Sequence, residues 1–369
     1  MKKQKRKHNR GGKRSIRVIL AGTALLLASA GFMLLASRVP SFAQWYSVNV
    51  YSLLVSAIGR LSGMVSFSVS EICIYILLAV FAGSAVYTVI KCIRRKKAKD
   101  RLFRWFSGVV LGAGILLFLY TAGCGINYYR TPFSEEEGIS VYSYSGDELA
   151  QVCMWLTEEV DARSSQVSRD ENGVMELDAP EGEGAVETME KLAETYPSLK
   201  GYYPRPKRLL VPEVLSVQGL TGIYRPFTIE ANYNGDITAY NIPFTVCHEL
   251  SHLRGFMEEK EANFIAFLAC INSERMDFQY SGYLSGWVYC MNALYRTDGE
   301  KWMEVREQLD DAALRDLNAN NVFWDSYEGP VRETAEQIND TYLRVNGQAD
   351  GVKSYDRMVD LVVTYFKEI

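Results

Sequence analysis

The sequence predicts an α+β protein with three N-terminal transmembrane helices, followed by a mainly helical extracytoplasmic domain that contains a small β-sheet. Three observations support this: three long uncharged runs near the N-terminus, a polar remainder with helical spacing of its apolar residues, and one stretch rich in β-branched and aromatic residues. The chain has 369 residues, of which 48% are hydrophobic, so it is long enough for a substantial core beside its membrane segments.

Each of the uncharged runs can cross a bilayer as a helix, for which roughly 20 apolar residues suffice. Within a membrane region spanning 18–129, the predicted helices are 18–37, 72–90 and 105–129. A cleavable signal peptide ending at Ser41-Phe42-Ala43 is the alternative for the first run. Residues 40–70 contain no acidic residue and have helical apolar spacing, which predicts an interfacial segment on the outer side.

The basic residues orient these helices. The tail 1–17 has nine basic residues and no acidic one, and the loop 91–104 has eight basic residues and one acidic one. Cytoplasmic flanks carry an excess of Lys and Arg, so we expect a plasma-membrane protein with a cytoplasmic N-terminus and an extracytoplasmic domain, 130–369. This domain has a net charge near −21, which repels polyanions. The lipid bilayer is therefore an expected partner and nucleic acid is not.

The predicted elements of the C-terminal domain follow from periodicity and turn signals. Short strands are expected within 208–244, where Asn234-Gly235 is a hairpin signal. The chain after Thr245 reads as helical. The predicted helices are 147–160, 184–196, 281–296, 300–317, 331–345 and 355–367. A small sheet therefore precedes the motif described next.

The segment HELSH, His248 to His252, has the HExxH pattern. In a helix, residues four apart lie on one face, so His248 and His252 can bind one zinc ion while Glu249 lies beside its open position as general base. Zinc lowers the pKa of bound water towards about 7, which makes hydroxide available at neutral pH. The alternative is a chance match on an amphipathic helix.

The third protein ligand is expected to be a carboxylate, with a thiolate as the alternative, because the only other histidine, His8, lies in the basic tail. Three glutamates follow shortly after HELSH, and each is a candidate for the third ligand: Glu258, Glu259 and Glu261. Glu259 is preferred because Asn263, four residues on, would share its helix face and could hydrogen-bond the far nitrogen of a ligand histidine.

Two family resemblances bear on these residues. Glu259-x-x-Ala262-Asn263 is similar to the ExxA(D/N) signature of gluzincin metallopeptidases, although the gap after HELSH is much shorter here. The segments SFSVSEICIYIL, FTIEANYN, HELSHLRGF, EANFIAFLAC and NDTYLRVNGQADGVKSYDRMVDL resemble a bacterial membrane family known as domain of unknown function 3810. The resemblance implies a membrane-anchored, zincin-like domain with His248, Glu249, His252 and the EAN segment in its site, but no reaction.

Two further roles are expected. The resemblance to zincins implies an extended peptide bound against an edge strand beside the active helix, for which Phe227 to Tyr233 is the candidate; an ordinary sheet strand is the alternative. A tyrosine or arginine must stabilise the oxyanion, since no histidine is left. Tyr289, Tyr355 and Arg357 are the candidates for this role.

The leading functional expectation is a membrane-anchored zinc metallopeptidase acting on a peptide or protein substrate. A non-catalytic zinc-binding or peptide-binding module on the same scaffold is the alternative, and hydrolysis of another kind of bond at the same metal also stays open. Cleavage inside the bilayer is not expected, because HELSH lies far from the three hydrophobic runs in the sequence.

Overall fold

Three long apolar helices precede a mainly helical domain with a small sheet, as predicted. The computed structural model describes residues 2–94, 98–178, 181–348, 351 and 357–368. The three long helices are α1 (Lys2–Arg38), α2 (Val69–Arg94) and α3 (Ala98–Gly123). Their parts that are long and apolar enough to cross a membrane are Gly12–Arg38, Val69–Ile93 and Ala98–Gly123. The third ends earlier than predicted, because Gly125–Tyr129 forms a 3-10 helix that is mostly buried.

The segment between the first two spans is a chain of short helices with two different faces. These helices are Pro40–Tyr46, Ser47–Tyr51, Ser52–Leu54, Val55–Gly59 and Arg60–Ser62. Tyr51 is fully buried, and its hydroxyl donates to the carbonyl of Leu253 at 3.0 Å in the C-terminal domain. Trp45, Leu53 and Leu61 are exposed. One face therefore packs on the C-terminal domain, while apolar side chains elsewhere on the segment stay uncovered.

Nine longer helices and three strands make up the described part of the C-terminal domain. The helices are α4 (Gly146–Ser164), α5 (Glu181–Thr195), α6 (Asn241–Leu253), α7 (Glu259–Ile271), α8 (Met276–Thr297), α9 (Gly299–Arg306), α10 (Asp311–Asp325), α11 (Pro330–Val345) and α12 (Met358–Glu368). Shorter helical turns lie at Phe133–Glu136, Pro197–Leu199 and Glu213–Ser216. The single helix predicted for 300–317 is in fact two, because Asp310 caps the second by accepting from the Ala312 amide.

The three strands form one sheet in the order β1-β3-β2. They are β1 (Lys207–Arg208), β2 (Gly222–Arg225) and β3 (Glu230–Tyr233). The central strand β3 pairs parallel with β1 and antiparallel with β2. The prediction of an open edge at Phe227 to Tyr233 is therefore wrong, since β3 is paired on both sides, and β1 and β2 form the two edges. The hairpin turn joins β2 to β3, whereas Asn234-Gly235 follows β3 and precedes α6.

The sheet is attached directly to the ends of the membrane helices. The buried Glu230 carboxylate of β3 accepts from the Val69 and Ser70 amides, at 3.1 and 2.8 Å, and so caps the start of α2. The Tyr224 hydroxyl of β2 donates to the Gly123 carbonyl at the end of α3, at 3.0 Å. These bonds fix the position of the edge strand relative to the spans.

Candidate metal centre

Helix α6 carries His248, Glu249 and His252, and it ends in a tight turn. Gly255 has a φ of 93°, which glycine adopts at little cost. Its amide donates to the His252 carbonyl at 2.8 Å, and the Phe256 amide donates to the Ser251 carbonyl at 3.2 Å. These two bonds form a Schellman motif, which ends the helix as the sequence predicts. Because the chain reverses here, α7 starts only four residues after Gly255 and packs against α6.

The same turn orients one of the histidines. The Nδ1 atom of His252 donates to the Phe256 carbonyl at 2.8 Å, since a carbonyl oxygen can only accept. In the neutral imidazole this bond holds the proton on Nδ1, so the lone pair of Nε2 is available to a metal. This is the arrangement expected of a histidine whose Nε2 binds a metal.

The first residue of α7 completes a three-residue cluster. Potential ligand atoms of His248, His252 and Glu259 lie within 4.8 Å of one another. The Oε2 atom of Glu259 is 3.3 Å from Nε2 of His248 and 3.5 Å from Nε2 of His252. Zinc bonds of about 2.0–2.1 Å place neighbouring ligand atoms of a tetrahedron about 3.4 Å apart. The two distances therefore match the edges of a zinc tetrahedron.

The hydrogen-bond pattern also fits a metal. The Oε2 atom of Glu259 is buried and has no hydrogen-bond partner among the described residues. An isolated buried carboxylate oxygen is costly, because it has lost its water without replacement. A cation held by the two imidazoles and this oxygen would remove that cost. The donor set of two histidines and one carboxylate, with space for a fourth ligand, is that of catalytic zinc sites.

Burial and mutual charge shift the acidities of these groups. Burial raises the pKa of Glu249 to about 7, and the two histidines oppose part of that rise. Burial acts to lower the pKa of His252, but the Glu259 carboxylate outweighs it and the pKa is raised. The histidines in turn lower the pKa of Glu259 below its ordinary value, although its burial acts in the opposite direction. A carboxylate is therefore retained beside the imidazoles, and Glu249 has the pKa of a base suited to neutral pH.

The other two glutamates considered as third ligand lie elsewhere. The buried Glu261 carboxylate accepts from the amide and the hydroxyl of Ser134, both at 2.9 Å. Burial raises the pKa of Glu261. Glu258 precedes α7 and lies 3.4 Å from Nζ of Lys260. Glu259 is the one of the three that the structure brings to the histidines.

Asn263 does not occupy the supporting position expected for it. It is buried on α7, but the far nitrogen of His252 is bonded to Phe256, and Nδ1 of His248 has no hydrogen-bond partner among the described residues. Among the oxyanion candidates, Tyr289 packs against Phe244, and neither Tyr289 nor Arg357 lines the cavity beside the histidines. Tyr355 lies outside the described residues.

A cavity of about 280 Å³ opens beside the cluster. Its walls come from α6, the edge strand β2, helix α11 and the end of the third span. Tyr120 of α3 and Cys124, which directly follows α3, line it at this end. The sulfur atoms of Cys124 and Met257 lie 3.7 Å apart. The motif is therefore close to the spans in space, although it is far from them in the sequence. Distance along the sequence, which was the reason for not expecting cleavage inside the bilayer, is therefore no measure of the distance between the motif and the spans.

Two cavity residues were missed by reasoning from the sequence. Arg225 of β2 lines the cavity, and its Nε atom is buried without a hydrogen-bond partner among the described residues. Burial lowers the pKa of Arg225, and the Glu249 carboxylate opposes this. Tyr342 of α11 also lines the cavity and accepts a hydrogen bond from Tyr128 at 3.1 Å. The one available signal was that Tyr342 falls within NDTYLRVNGQ, a segment that carries the family resemblance.

Comparison with known proteins gives one match. The sequence model of a family described as "Protein of unknown function (DUF3810)" matches residues 46–363. No curated protein and no solved structure matches the chain. The matched range covers most of the segment between the first two spans, the second and third spans, the sheet and all three residues of the cluster. Because it includes well over half of the sequence, the chain belongs to the DUF3810 family.

Proposed function

We propose that this protein is a membrane-anchored, zinc-dependent metallopeptidase with a zincin-like site. The observation that carries the proposal is the Oε2 atom of Glu259, which has no hydrogen-bond partner among the described residues and lies 3.3 and 3.5 Å from the Nε2 atoms of two histidines. His248, His252 and Glu259 would hold the ion. The similarity of Glu259-x-x-Ala262-Asn263 to the gluzincin signature agrees with this assignment.

Glu249 is the proposed general base. A bound zinc ion would supply Lewis-acid chemistry and lower the pKa of water at the site. Glu249 takes a proton from the water molecule as its oxygen bonds to the carbonyl carbon of the substrate. The C–N bond then breaks, and the proton passes to the leaving nitrogen. The pKa of about 7, caused by burial, suits a group that must both accept and return a proton.

The edge strand β2 is the proposed binding surface for an extended substrate chain. The Thr221 carbonyl accepts from the Asn234 amide, so residues 221, 223 and 225 bond to the β3 side in the antiparallel pairing. The backbone groups of Gly222 and Tyr224 then point to the open edge. Both residues line the cavity. A peptide added there would lie along the site as a further strand.

Arg225 and Tyr342 are the proposed donors for the developing oxyanion. Both line the cavity, and they supply a guanidinium and a phenol where no further histidine exists. The cationic guanidinium of Arg225 would stabilise negative charge on the carbonyl oxygen.

The proposed topology places the cluster outside the cytoplasm. The basic tail 1–17 and the basic loop 91–104 favour the cytoplasmic side of the plasma membrane. Three crossings from an inside N-terminus then put the C-terminal domain outside.

The proposal predicts that the full-length protein purifies with about one zinc ion per chain. A zinc chelator should remove both the ion and the ability to cleave a detergent-solubilised extract of membrane and soluble proteins, and added zinc should restore both. Elemental analysis and mapping of new protein N-termini measure the two effects. Absence of zinc in the purified protein, or cleavage that survives zinc removal, would contradict the proposal. Zinc without cleavage would favour the non-catalytic module instead.

A second prediction concerns the contact between β2 and Glu249. A Cβ atom at Gly222 would lie 2.5 Å from Oε1 and 2.8 Å from Cγ of Glu249. The flexible glutamate must therefore move in Gly222→Ala, and a misplacement of about 1 Å can cost roughly 100-fold in rate. We expect a loss of that order with zinc content unchanged. Gly299→Ala is the matched control, because nothing lies within 4 Å of its added Cβ. Full activity of Gly222→Ala would show that catalysis does not depend on the position of the Glu249 side chain against β2.

A further inference from the structure

The cavity lies at the level where the third span ends. Tyr120, which contributes to its wall, is three residues before the end of α3 at Gly123, or about 4.5 Å along the helix axis. The Tyr120 hydroxyl donates to Oδ1 of Asn346, directly after α11, at 2.8 Å. The Tyr224 hydroxyl of β2 donates to the Gly123 carbonyl. Both sides of the cavity are thus attached to the last turn of a membrane helix.

The surface next to these attachments is apolar and exposed. Near the start of α2, the Glu71 carboxylate accepts from the amides of Leu210 and Val211, at 2.7 and 3.0 Å. The side chains there form an apolar collar at the ends of the spans, made of Leu210, Val211, Val214, Val217 and Phe227, each between 38% and 60% exposed. Exposed apolar side chains at this height would contact the acyl and headgroup boundary of the bilayer. The collar would therefore hold the domain directly on the membrane surface.

A second apolar surface leads into the cavity from the side. A groove of about 720 Å³ runs between β2 and α11, and it shares Ile223 and Tyr342 with the cavity. Its α11 wall exposes Val331 and Ile338 by more than half of their side-chain area. Next to the contact with the third span, Val345 is 74% exposed. The groove would thus accept an extended chain with apolar side chains. The end of α11 lies against the third span, through the bond from Tyr120 to Asn346.

We propose that the substrate is a membrane-anchored protein, cut in the extracytoplasmic segment close to its own membrane span. This inference rests on the proposed peptidase function and names its substrate class. An extended chain covers about 3.3–3.6 Å per residue, and the headgroup layer is roughly 5–8 Å deep. Crossing the headgroups takes about two or three residues, and ten residues reach at most about 33–36 Å. For a site whose cavity wall includes the last turn of a span, we expect the scissile bond within about ten residues of the anchor. The open backbone of β2 favours a polypeptide over a lipid as occupant.

The test compares new protein N-termini in cells that make the full-length wild-type protein or its Glu249→Gln variant. Termini specific to the wild type should belong to membrane-anchored proteins and lie within about ten residues of a span on the outer side. A mapped sequence is then carried on two reporters, one anchored by a single span and one secreted without it. The anchored reporter should be cut at least tenfold faster.

The possible outcomes separate the two proposals. Wild-type cleavage of secreted proteins, or equal cutting of both reporters, would overturn the membrane-anchored substrate and leave the peptidase intact. No wild-type-specific terminus at all would remove both. A change in membrane lipids without new protein termini would assign the groove to a lipid and overturn the polypeptide substrate.

Discussion

Replacing Glu249 by glutamine is expected to stop hydrolysis and leave the metal in place. Glutamine keeps the shape of the side chain but cannot take a proton from water, and loss of general-base catalysis costs about 10²–10⁴-fold in rate. Glu249 is not a member of the ligand cluster, so zinc should stay near one ion per chain. Burial already raises the pKa of Glu249 to about 7, so a neutral amide at this position should not lower the free energy of unfolding much.

Three measurements on the full-length protein check this result: the rate of cleavage of a sequence mapped from cells, the zinc content and the melting temperature. Glu258→Gln is a suitable control, because that nearby carboxylate is partly exposed and pairs with Lys260. It should retain wild-type rate and zinc. Equal products from wild type and Glu249→Gln would exclude the peptidase mechanism. A variant that loses zinc as well would mean that Glu249 supports the metal rather than the reaction.

The features that could be predicted from sequence are those set by local periodicity. Apolar runs near the length of a bilayer predict the three spans, and the spacing of His248 and His252 puts their side chains on one face of α6. The expectation that a glutamate early in α7 faces the histidines was also local, since Gly255 reverses the chain and few residues separate the two helices. The preference for Glu259 among the three rested on Asn263, which bonds to neither far imidazole nitrogen. In these cases the relevant partners lie within a few turns of one another.

The features that could not be predicted depend on contacts between distant segments. Strand order is one example. β1 precedes both strands of the hairpin in the sequence, yet it pairs with β3 on the side away from β2, so β3 is central and β2 is at an edge. The position of Arg225 beside Glu249 follows from that order. The nearness of the site to the membrane depends on the bond from Tyr224 to Gly123, which no periodicity indicates. Pairings of this kind are set by packing of the whole domain, so the sequence pattern left them open.

Replacing Glu259 by glutamine is expected to weaken zinc binding by at least about 100-fold. Loss of a residue that only orients a ligand already costs roughly 10–100-fold in metal affinity, and loss of a charged ligand should cost more. The amide is a neutral and weaker ligand than the carboxylate, so two imidazoles would hold the ion with little help. Competition with a chromophoric zinc chelator measures the affinity of the full-length protein.

Glu261→Gln separates loss of a ligand from damage to helix α7. Both glutamates are buried near the start of the same helix, but Glu261 is bonded to the amide and hydroxyl of Ser134 instead of facing the histidines. A glutamine there can still accept from the Ser134 amide and donate to its hydroxyl, so zinc affinity should stay within about threefold of wild type. If Glu261→Gln lost zinc while Glu259→Gln kept it, the assignment of the third ligand would be reversed. If both kept it, Glu259 would not be a zinc ligand, and the 3.3 and 3.5 Å distances would reflect pairing of a buried carboxylate with the two imidazoles.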